Sequence, residues 1–423
     1  MIIQFLPDTI MSSFNKDSLS GLSVKASTCP DNIIVVGGGR WARVLIKTIS
    51  SIVDKSVNIF IYSRSNTSFM TEWVALENMD RKIEVCSSLP EKFSSPSNAV
   101  IVVNAARDHA ESAAQALLAG GNVMVEKPLT LSYPASQNLV TLSKKLGQDL
   151  VAAHIFLFSR YFEKFSRLVS EVGGITSVTA HWVDPKSEHR YGESKQYDTG
   201  LPVFADWLPH ILPMIGTLLP GKSQSFIILD VRRGGAYVDL HLMAGEIPCR
   251  VILERDGDGR KRFMEVLCGD KILNLDFSLE PGIIMNGLEE INGDPEWQTG
   301  EKPSATMLRA FFKGAVGMGY DSRLDVELGL SSTKVIDQSM DIYLIKQIEW
   351  LIEKLESEFE PTDKELHYAL REIFQIEKAL TNEEIDGRIR SFNNVLLSNS
   401  REYWLKELRE NKDRKIVLQM GSI

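Results

Sequence analysis

The stretch "DNIIVVGGGRWARVLIKTI", from Asp31 to Ile49, decides how the rest of the chain is read. An apolar run suited to a buried strand meets three adjacent glycines and then a helix-like pattern. Gly37-Gly38-Gly39-Arg40-Trp41-Ala42 has the form GxGxxA. The first glycine allows a tight turn, the second lets the backbone approach a pyrophosphate, and the small Ala42 lets the helix lie close to its strand. The helix that follows offers unpaired N–H groups and a positive dipole end to phosphates. A plain tight turn is the competing reading. The strand-to-helix junction, opening a longer alternation of strands and helices, favours dinucleotide binding.

That alternation runs from Asp31 to about Phe156. "NIIVVGG", "VNIFIYS", "KIEVCSS", "AVIVVN", "NVMVEKP" and "DLVAAHIF" predict six strands, four of them apolar enough to be buried on both faces. Helical stretches lie between them, such as "DHAESAAQALLAGG" with its Gly-Gly stop. The pattern predicts a doubly wound parallel sheet of the Rossmann type. After Ser159 the texture changes. A helix, "RYFEKFSRLVSEVGG", leads into longer strands punctuated by Gly234-Gly235 and by Asp256-Gly257-Asp258-Gly259. These turns predict hairpins and an open, mainly antiparallel sheet in a second α/β domain. Residues 325–357 read as helical, Pro361 interrupts, and residues 362–412 form a charged, largely helical tail.

Composition narrows the function. A chain of 423 residues exceeds one small core and predicts two or three domains. A net charge of −9 argues against nucleic acid as the main partner. No apolar run is long enough to span a bilayer, and the start lacks the pattern of a signal peptide, so a cytoplasmic location is expected. The four cysteines, Cys29, Cys86, Cys249 and Cys268, are scattered and read as free thiols, and no metal site is expected.

The second strand ends at "IYSRSNTS". An NAD-preferring site places a carboxylate here to grip the ribose 2′-hydroxyl. None occurs between Lys55 and Thr71, where Ser63, Arg64 and Ser65 stand instead. A guanidinium can fork onto a 2′-phosphate and hydroxyls can donate to it, which predicts NADP(H) over NAD(H). An exposed surface arginine is the competing reading.

"VVNAARDHAESAAQALLAGGNVMVEKPLT" then delivers Glu126-Lys127-Pro128 to the carboxyl edge of the sheet, bringing an ammonium group to the cofactor crevice. Here the chain resembles the Gfo/Idh/MocA family of oxidoreductases, of the glucose–fructose oxidoreductase and inositol dehydrogenase type. It keeps the alanine-rich helix, His109 and Glu126-Lys127-Pro128, but has Asn104-Ala105-Ala106 in place of the family's threonine-proline-asparagine. The resemblance implies a second signature, an aspartate and a histidine four apart, and "YDTGLPVFADWLPHILPMIG" supplies Asp206 and His210. On a helix this spacing puts both on one face. The competing reading makes Asp206 an N-cap with Pro209 in the first turn, and Pro213 a kink one turn later. The glycine-rich lead-in to this segment is thinned to Gly200. "GDKILNLDF" also resembles the family's late sheet strand, so the similarity covers about residues 31–345.

Other candidates are weaker. His154 and His181 read as hydrogen-bonded core residues. Trp182, Lys186, His189, Arg190 and Tyr191 form a polar-aromatic loop that either lines a pocket or is simply solvated. The division drawn is an arm at 1–30, an NADP-binding Rossmann domain at 31–156, a substrate and oligomerisation domain at 157–345 and a helical extension at 346–423. The expected protein is an NADP(H)-dependent dehydrogenase or reductase. Its hydride would move to or from a secondary carbon of a sugar-like or specialised biosynthetic small molecule. Lys127, His210 and Asp206 carry the chemistry in this reading. Gly37, Gly39, Arg40, Trp41, Ser63, Arg64, Ser65, Asn104, His109, Glu126 and Lys127 hold the cofactor. The alternatives are an imine reductase and a catalytically silent nucleotide-binding partner protein. Family members commonly pair through the second domain's sheet, which implies a homo-oligomer, dimer or tetramer.

Overall fold

Four aliphatic residues, Ile33 to Val36, leave no polar side chain to face water, and the strand they form, β1 (Asn32–Val36), is buried along its whole length. In the computed structural model, which describes residues 29–79, 81–95, 97–190, 193–194, 201–357, 372 and 401–420, β1 lies at the centre of a six-stranded sheet. The other strands are β2 (Asn58–Tyr62), β3 (Ile83–Cys86), β4 (Asn98–Val102), β5 (Asn122–Val125) and β6 (Leu150–Ala152). Their order is β3-β2-β1-β4-β5-β6 and every pair is parallel, so this is a Rossmann sheet with its reversal between β1 and β4. Helices α1 (Arg40–Ile52), α2 (Thr67–Glu77), α3 (His109–Leu118) and α4 (Tyr133–Leu146) connect the strands. Ile34, Val36, Val100 and Val102 point toward α3 and α4, whereas Ile33, Val35 and Ile101 point toward α1. Each fully buried side chain of this kind contributes about 1.5–3 kcal/mol.

The second half begins with α5 (Arg160–Val172) and builds an eight-stranded sheet. Its strands are β7 (Ile175–Pro185), β10 (Gln224–Arg232), β11 (Tyr237–Ala244), β12 (Ile247–Gly257), β13 (Lys261–Cys268), β14 (Lys271–Asp276), β15 (Ile283–Asn286) and β16 (Glu289–Asn292). A separate two-residue pair, β8 (His189–Arg190) and β9 (Glu193–Ser194), lies off the main sheet. The order is β10-β11-β12-β7-β13-β14-β15-β16. All pairs are antiparallel except β12 with β7. The hairpin expected at Gly234-Gly235 is present between β10 and β11. The one expected at Asp256-Gly257-Asp258-Gly259 is not. β7, from much earlier in the chain, lies between β12 and β13, and the turn passes over its end. Turn residues mark where a chain reverses, but not whether another strand occupies the gap.

Helix α6 (Val203–Leu218) covers this sheet and is followed by α7 (Pro303–Lys313), α8 (Val326–Glu356) and α9 (Arg401–Met420). The division drawn at residue 345 falls inside α8, which runs unbroken to Glu356. Most of the N-terminal arm, Tyr191, Gly200 and most of the helical extension lie outside the described residues.

Candidate active site

The glycine turn takes the shape its sequence asks for. Gly37 has φ +150°, and a Cβ on it would lie 2.8 Å from the Val103 carbonyl oxygen. β1 and β4 therefore end in close backbone contact, where only glycine fits. A Cβ on Gly38 would meet the Ser63 hydroxyl, whereas around Gly39 there is nothing within 4 Å. Gly39 is the N-cap of α1, whose first turn has neither a side-chain cap nor an acidic residue. An uncapped, positively polarised helix end beside open space fits the pyrophosphate of a dinucleotide. Ala42 is fully buried beneath it.

A cleft of about 1470 Å³ opens from this turn. It is lined by Gly37, Gly39, Arg40, Trp41, Ser63, Arg64, Ser65, Asn104, His109, Glu126, Lys127, Asp206 and His210, so every candidate site residue meets there. Arg64 and Ser65 are exposed at its rim. Glu126 is buried and accepts hydrogen bonds from Trp41 Nε1 at 2.7 Å and from the Lys127 backbone N–H at 3.1 Å. Burial pushes its carboxyl above the usual range, against the pull of the Trp41 donor. His109 is buried, its Nδ1 2.7 Å from the Pro128 carbonyl and its Nε2 3.2 Å from that of Asn104. The ring thus ties the loop after β4 to the loop after β5. Burial lowers its pKa, with the two carbonyls opposing. Asn104 Nδ2 donates to Ser112 Oγ at 2.7 Å, and Asn104 Oδ1 is buried without a hydrogen-bond partner.

Lys127 reaches across to the second half of the chain. Its Nζ lies 2.5 Å from Asp206 Oδ1, 3.0 Å from the Asp206 carbonyl and 5.2 Å from the centre of the Trp207 ring. Asp206 is not an N-cap: α6 starts at Val203 with Pro202 as its cap, which puts Asp206 in the first turn. Both Pro209 and Pro213 lie inside the helix. Pro213 has no N–H to give the Pro209 carbonyl, which instead faces the buried ring of His154, as does that of Asp325. Burial pushes the His154 pKa down to about 4. His210, one turn after Asp206, stacks on Trp182 at 5.7 Å and meets Phe156 edge-on at 4.9 Å.

Several groups in this site escaped the sequence reading. Arg262 is buried, with its guanidinium 4.1 Å from the Trp182 ring and 5.0 Å from the Trp207 ring. It pairs with Asp184, and burial pushes its pKa down to about 10. Arg255, also buried, has Nη2 2.6 Å from the Leu201 carbonyl and 3.9 Å from Asp206 Oδ2. A signal for both was present. The buried positions Cys249, Val251 and Leu253 continue by twos to Arg255, and Cys268, Val266 and Met264 continue to Arg262. An arginine in phase with a core face needs buried partners. Of the polar-aromatic loop, Trp182 lines the cleft, while Lys186 is exposed and pairs with Asp258. His189 is also exposed, and Tyr191 lies outside the described residues.

The parallel 3-2-1-4-5-6 sheet, its glycine turn and the cleft at the strand ends define a nucleotide-binding protein of the Rossmann class. Residues 32–154 match the family model described as "Oxidoreductase family, NAD-binding Rossmann fold", that of Gfo/Idh/MocA. Over these residues the chain is similar to the Gfo/Idh/MocA family of oxidoreductases. An uncharacterized oxidoreductase of Escherichia coli K12, YdgJ, is 27% identical over 199 residues, which span 46% of this chain and 55% of that one. The match thus covers about half of that relative's length. Among solved structures, KijD10, a 3-ketoreductase from Actinomadura kijaniata in complex with TDP-benzene and NADP, superposes with a TM-score of 0.58. It is 19% identical and covers 73% of this chain and 96% of its own. UDP-N-acetylglucosamine 3-dehydrogenase GnnA from Acidithiobacillus ferrooxidans gives 0.56 at 17% identity, covering 73% and 95%. At these identities the likeness is one of fold. Among the described residues, no helix is long and apolar enough to cross a membrane.

Proposed function

We propose that the protein is an NADP(H)-dependent oxidoreductase acting at a secondary carbon, C=O or CH–OH, of a sugar-like or specialised biosynthetic small molecule. The observation that carries this reading is the pairing of Lys127 with Asp206 at 2.5 Å, in the same cleft as the glycine turn. The two residues lie 79 positions apart, one just after β5 and the other on α6. The nicotinamide supplies or accepts the hydride when bound.

The chain's own side chains manage position, charge and one proton. Lys127 holds the substrate oxygen and stabilises negative charge developing on it. Asp206 keeps the ammonium aimed. His210 gives or takes the proton, an imidazole being suited to either role near neutral pH. Trp182, Trp207 and Phe156 form an apolar wall beside it that excludes water and can stack on the face of a sugar ring. Gly37 and Gly39, with the α1 N-terminus, fit the pyrophosphate. Ser63, Arg64 and Ser65 support NADP(H) over NAD(H), since no carboxylate stands at that strand end. The NADP in KijD10 and the sugar-nucleotide name of GnnA lend support from similar folds. A homo-oligomer formed through the outer face of the second sheet, in the cytoplasm, completes the proposal. It is supported by the exposed side chains of Ile228, Ile272 and Ile283.

A fluorescence titration with NADPH and NADH, on wild type and Arg64→Ala, tests the cofactor reading. Micromolar NADPH binding that exceeds NADH binding and weakens in the variant is expected. Equal binding of both nucleotides in both proteins would overturn the phosphate grip. NADPH oxidation against a carbonyl panel, then an imine panel, tests the reaction. Consumption with imines alone would move the assignment to carbon–nitrogen bonds, and none with either would leave only a nucleotide-binding protein.

A further inference from the structure

Asp206 lies between two cations. Its Oδ1 meets Lys127 at 2.5 Å, and its Oδ2 faces Arg255 Nη2 at 3.9 Å. Arg255 is 1% exposed, so its charge has no water to spread into. A second carboxylate answers it. Glu372, also 1% exposed, approaches Arg255 Nη1 at 3.4 Å. Glu372 is fixed in turn by α8. Tyr343 donates its hydroxyl to Glu372 Oε2, and Gln347 Nε2 donates to the same oxygen at 2.5 Å. Tyr343 keeps that proton firmly, because burial and the Glu372 charge push its pKa well up. The cluster leaves no slack: a Cβ on Gly235 would lie 2.6 Å from Gln347 Nε2 and 3.0 Å from Glu372 Oε2. The Phe204 ring, two residues before Asp206, rests on Tyr343 at 4.7 Å.

We propose that Glu372, from beyond the part of the chain that resembles the family, is a positioning residue for the cleft: it balances Arg255 and so leaves Asp206 to Lys127. Among the described residues, the other carboxylate paired with Arg255 is that of Asp206. Without the Glu372 charge, the guanidinium competes with the Lys127 ammonium for one carboxylate. The inference builds on the reading of Lys127 and Asp206 as the working pair, but it concerns charge placement and is testable without turnover.

The test is the labelling rate of Lys127 by an amine-reactive ester, followed by peptide mass spectrometry between pH 7 and 10 on the full chain. Only the free amine reacts, so the rate reports how firmly the ammonium is held. Among the described residues, the charged or titratable groups acting on it include Asp206 from α6, Glu126 beside it and His109 from α3. Glu372→Gln keeps the shape of the side chain and removes its charge. It is expected to speed labelling at pH 8 by about three- to tenfold. Arg255→Gln frees Asp206 from its competitor and is expected to slow labelling. General loosening would instead move both variants in the same direction. Tyr343→Phe, which leaves both charges in place, should stay within about twofold of wild type. If Glu372→Gln does not fold, the comparison of Arg255→Gln with the double variant decides the matter. The proposal routes the effect of Glu372 on Asp206 through Arg255, so these two must label at the same rate. A difference beyond about twofold, or an unchanged rate in a folded Glu372→Gln, overturns the proposal. Failure of NADPH turnover in the wild type would instead overturn the functional reading and leave the labelling result standing.

Discussion

At Gly37 the backbone itself is the constraint. Its φ of +150° and the 2.8 Å approach to Val103 leave no room for a methyl group. Gly37→Ala is expected to cost about 1–3 kcal/mol and to abolish nucleotide binding, checked by denaturant melts and NADPH fluorescence. Side-chain chemistry decides the neighbouring positions. Lys127→Ala and His210→Ala are each expected to lower turnover by about 100- to 10,000-fold while leaving NADPH affinity within severalfold of wild type. Wild-type turnover in either variant would remove that residue from the mechanism. His109 contrasts with both. Its ring nitrogens lie against the Pro128 and Asn104 carbonyls, so its visible work is to fix the two loops that shape the cleft.

Three neighbouring strands, β12, β7 and β13, act as one element beneath α6. They carry Arg255, Trp182 with Asp184, and Arg262 on the face that the helix covers. Asp184→Ala would leave the Arg262 charge buried with its carboxylate gone, and a loss of about 3–5 kcal/mol is expected in denaturant unfolding. Helix α6 predicts its own pH response through His154, which the Pro209 carbonyl faces. The folded pKa of about 4 lies below the ordinary value of 6.5, so between these pH values the unfolded chain binds the extra proton. The stability contributed by the neutral ring is complete above pH 6.5 and is lost as pH falls toward 4, by about 3 kcal/mol. Buried His109 acts in the same direction, whereas Glu126, pushed up by burial, acts in the other. Unfolding midpoints at pH 7 and pH 5, in wild type and His154→Gln, check this. A variant that loses as much as wild type on acidification would assign the effect elsewhere.

For the molecule as a whole, the cleft exists only because two sheets meet along α6 and the strand ends of the Rossmann half. The first sheet contributes the glycine turn and Lys127; the covering helix of the second contributes Asp206, Trp207 and His210. Sheet edges and outer faces follow a different logic. Ile228, at 59% exposure, and Ile272, at 49%, place branched aliphatic surface in water on the second sheet. Light scattering is expected to give a dimer or tetramer, and Ile228→Asp with Ile272→Asp is expected to shift it toward monomer. A monomeric wild type would remove the sheet face as an interface.

The sequence by itself determined whatever local periodicity encodes. It determined the central strands of the parallel sheet, because runs such as Ile33–Val36 and "AVIVV" can be satisfied only by burial on both faces. The turn geometry at Gly37 was legible from residue type alone, whereas Asp206 and His210 on one helix were implied by the family resemblance. The helix at 326–356 was legible too, since its pattern needs no distant partner. Only the tertiary structure decided what depends on contacts across long separations. It placed β7 between β12 and β13, where the Asp256–Gly259 turn had predicted a hairpin. It set α6 to begin at Val203, three residues before Asp206, and it joined Lys127 to Asp206. It also gave two core-phase arginines their buried carboxylates, Asp184 and Glu372. The physical reason is common to these cases. Burial and backbone preference are properties of a segment, whereas charge compensation and strand neighbourhood are properties of whichever segments the fold brings together.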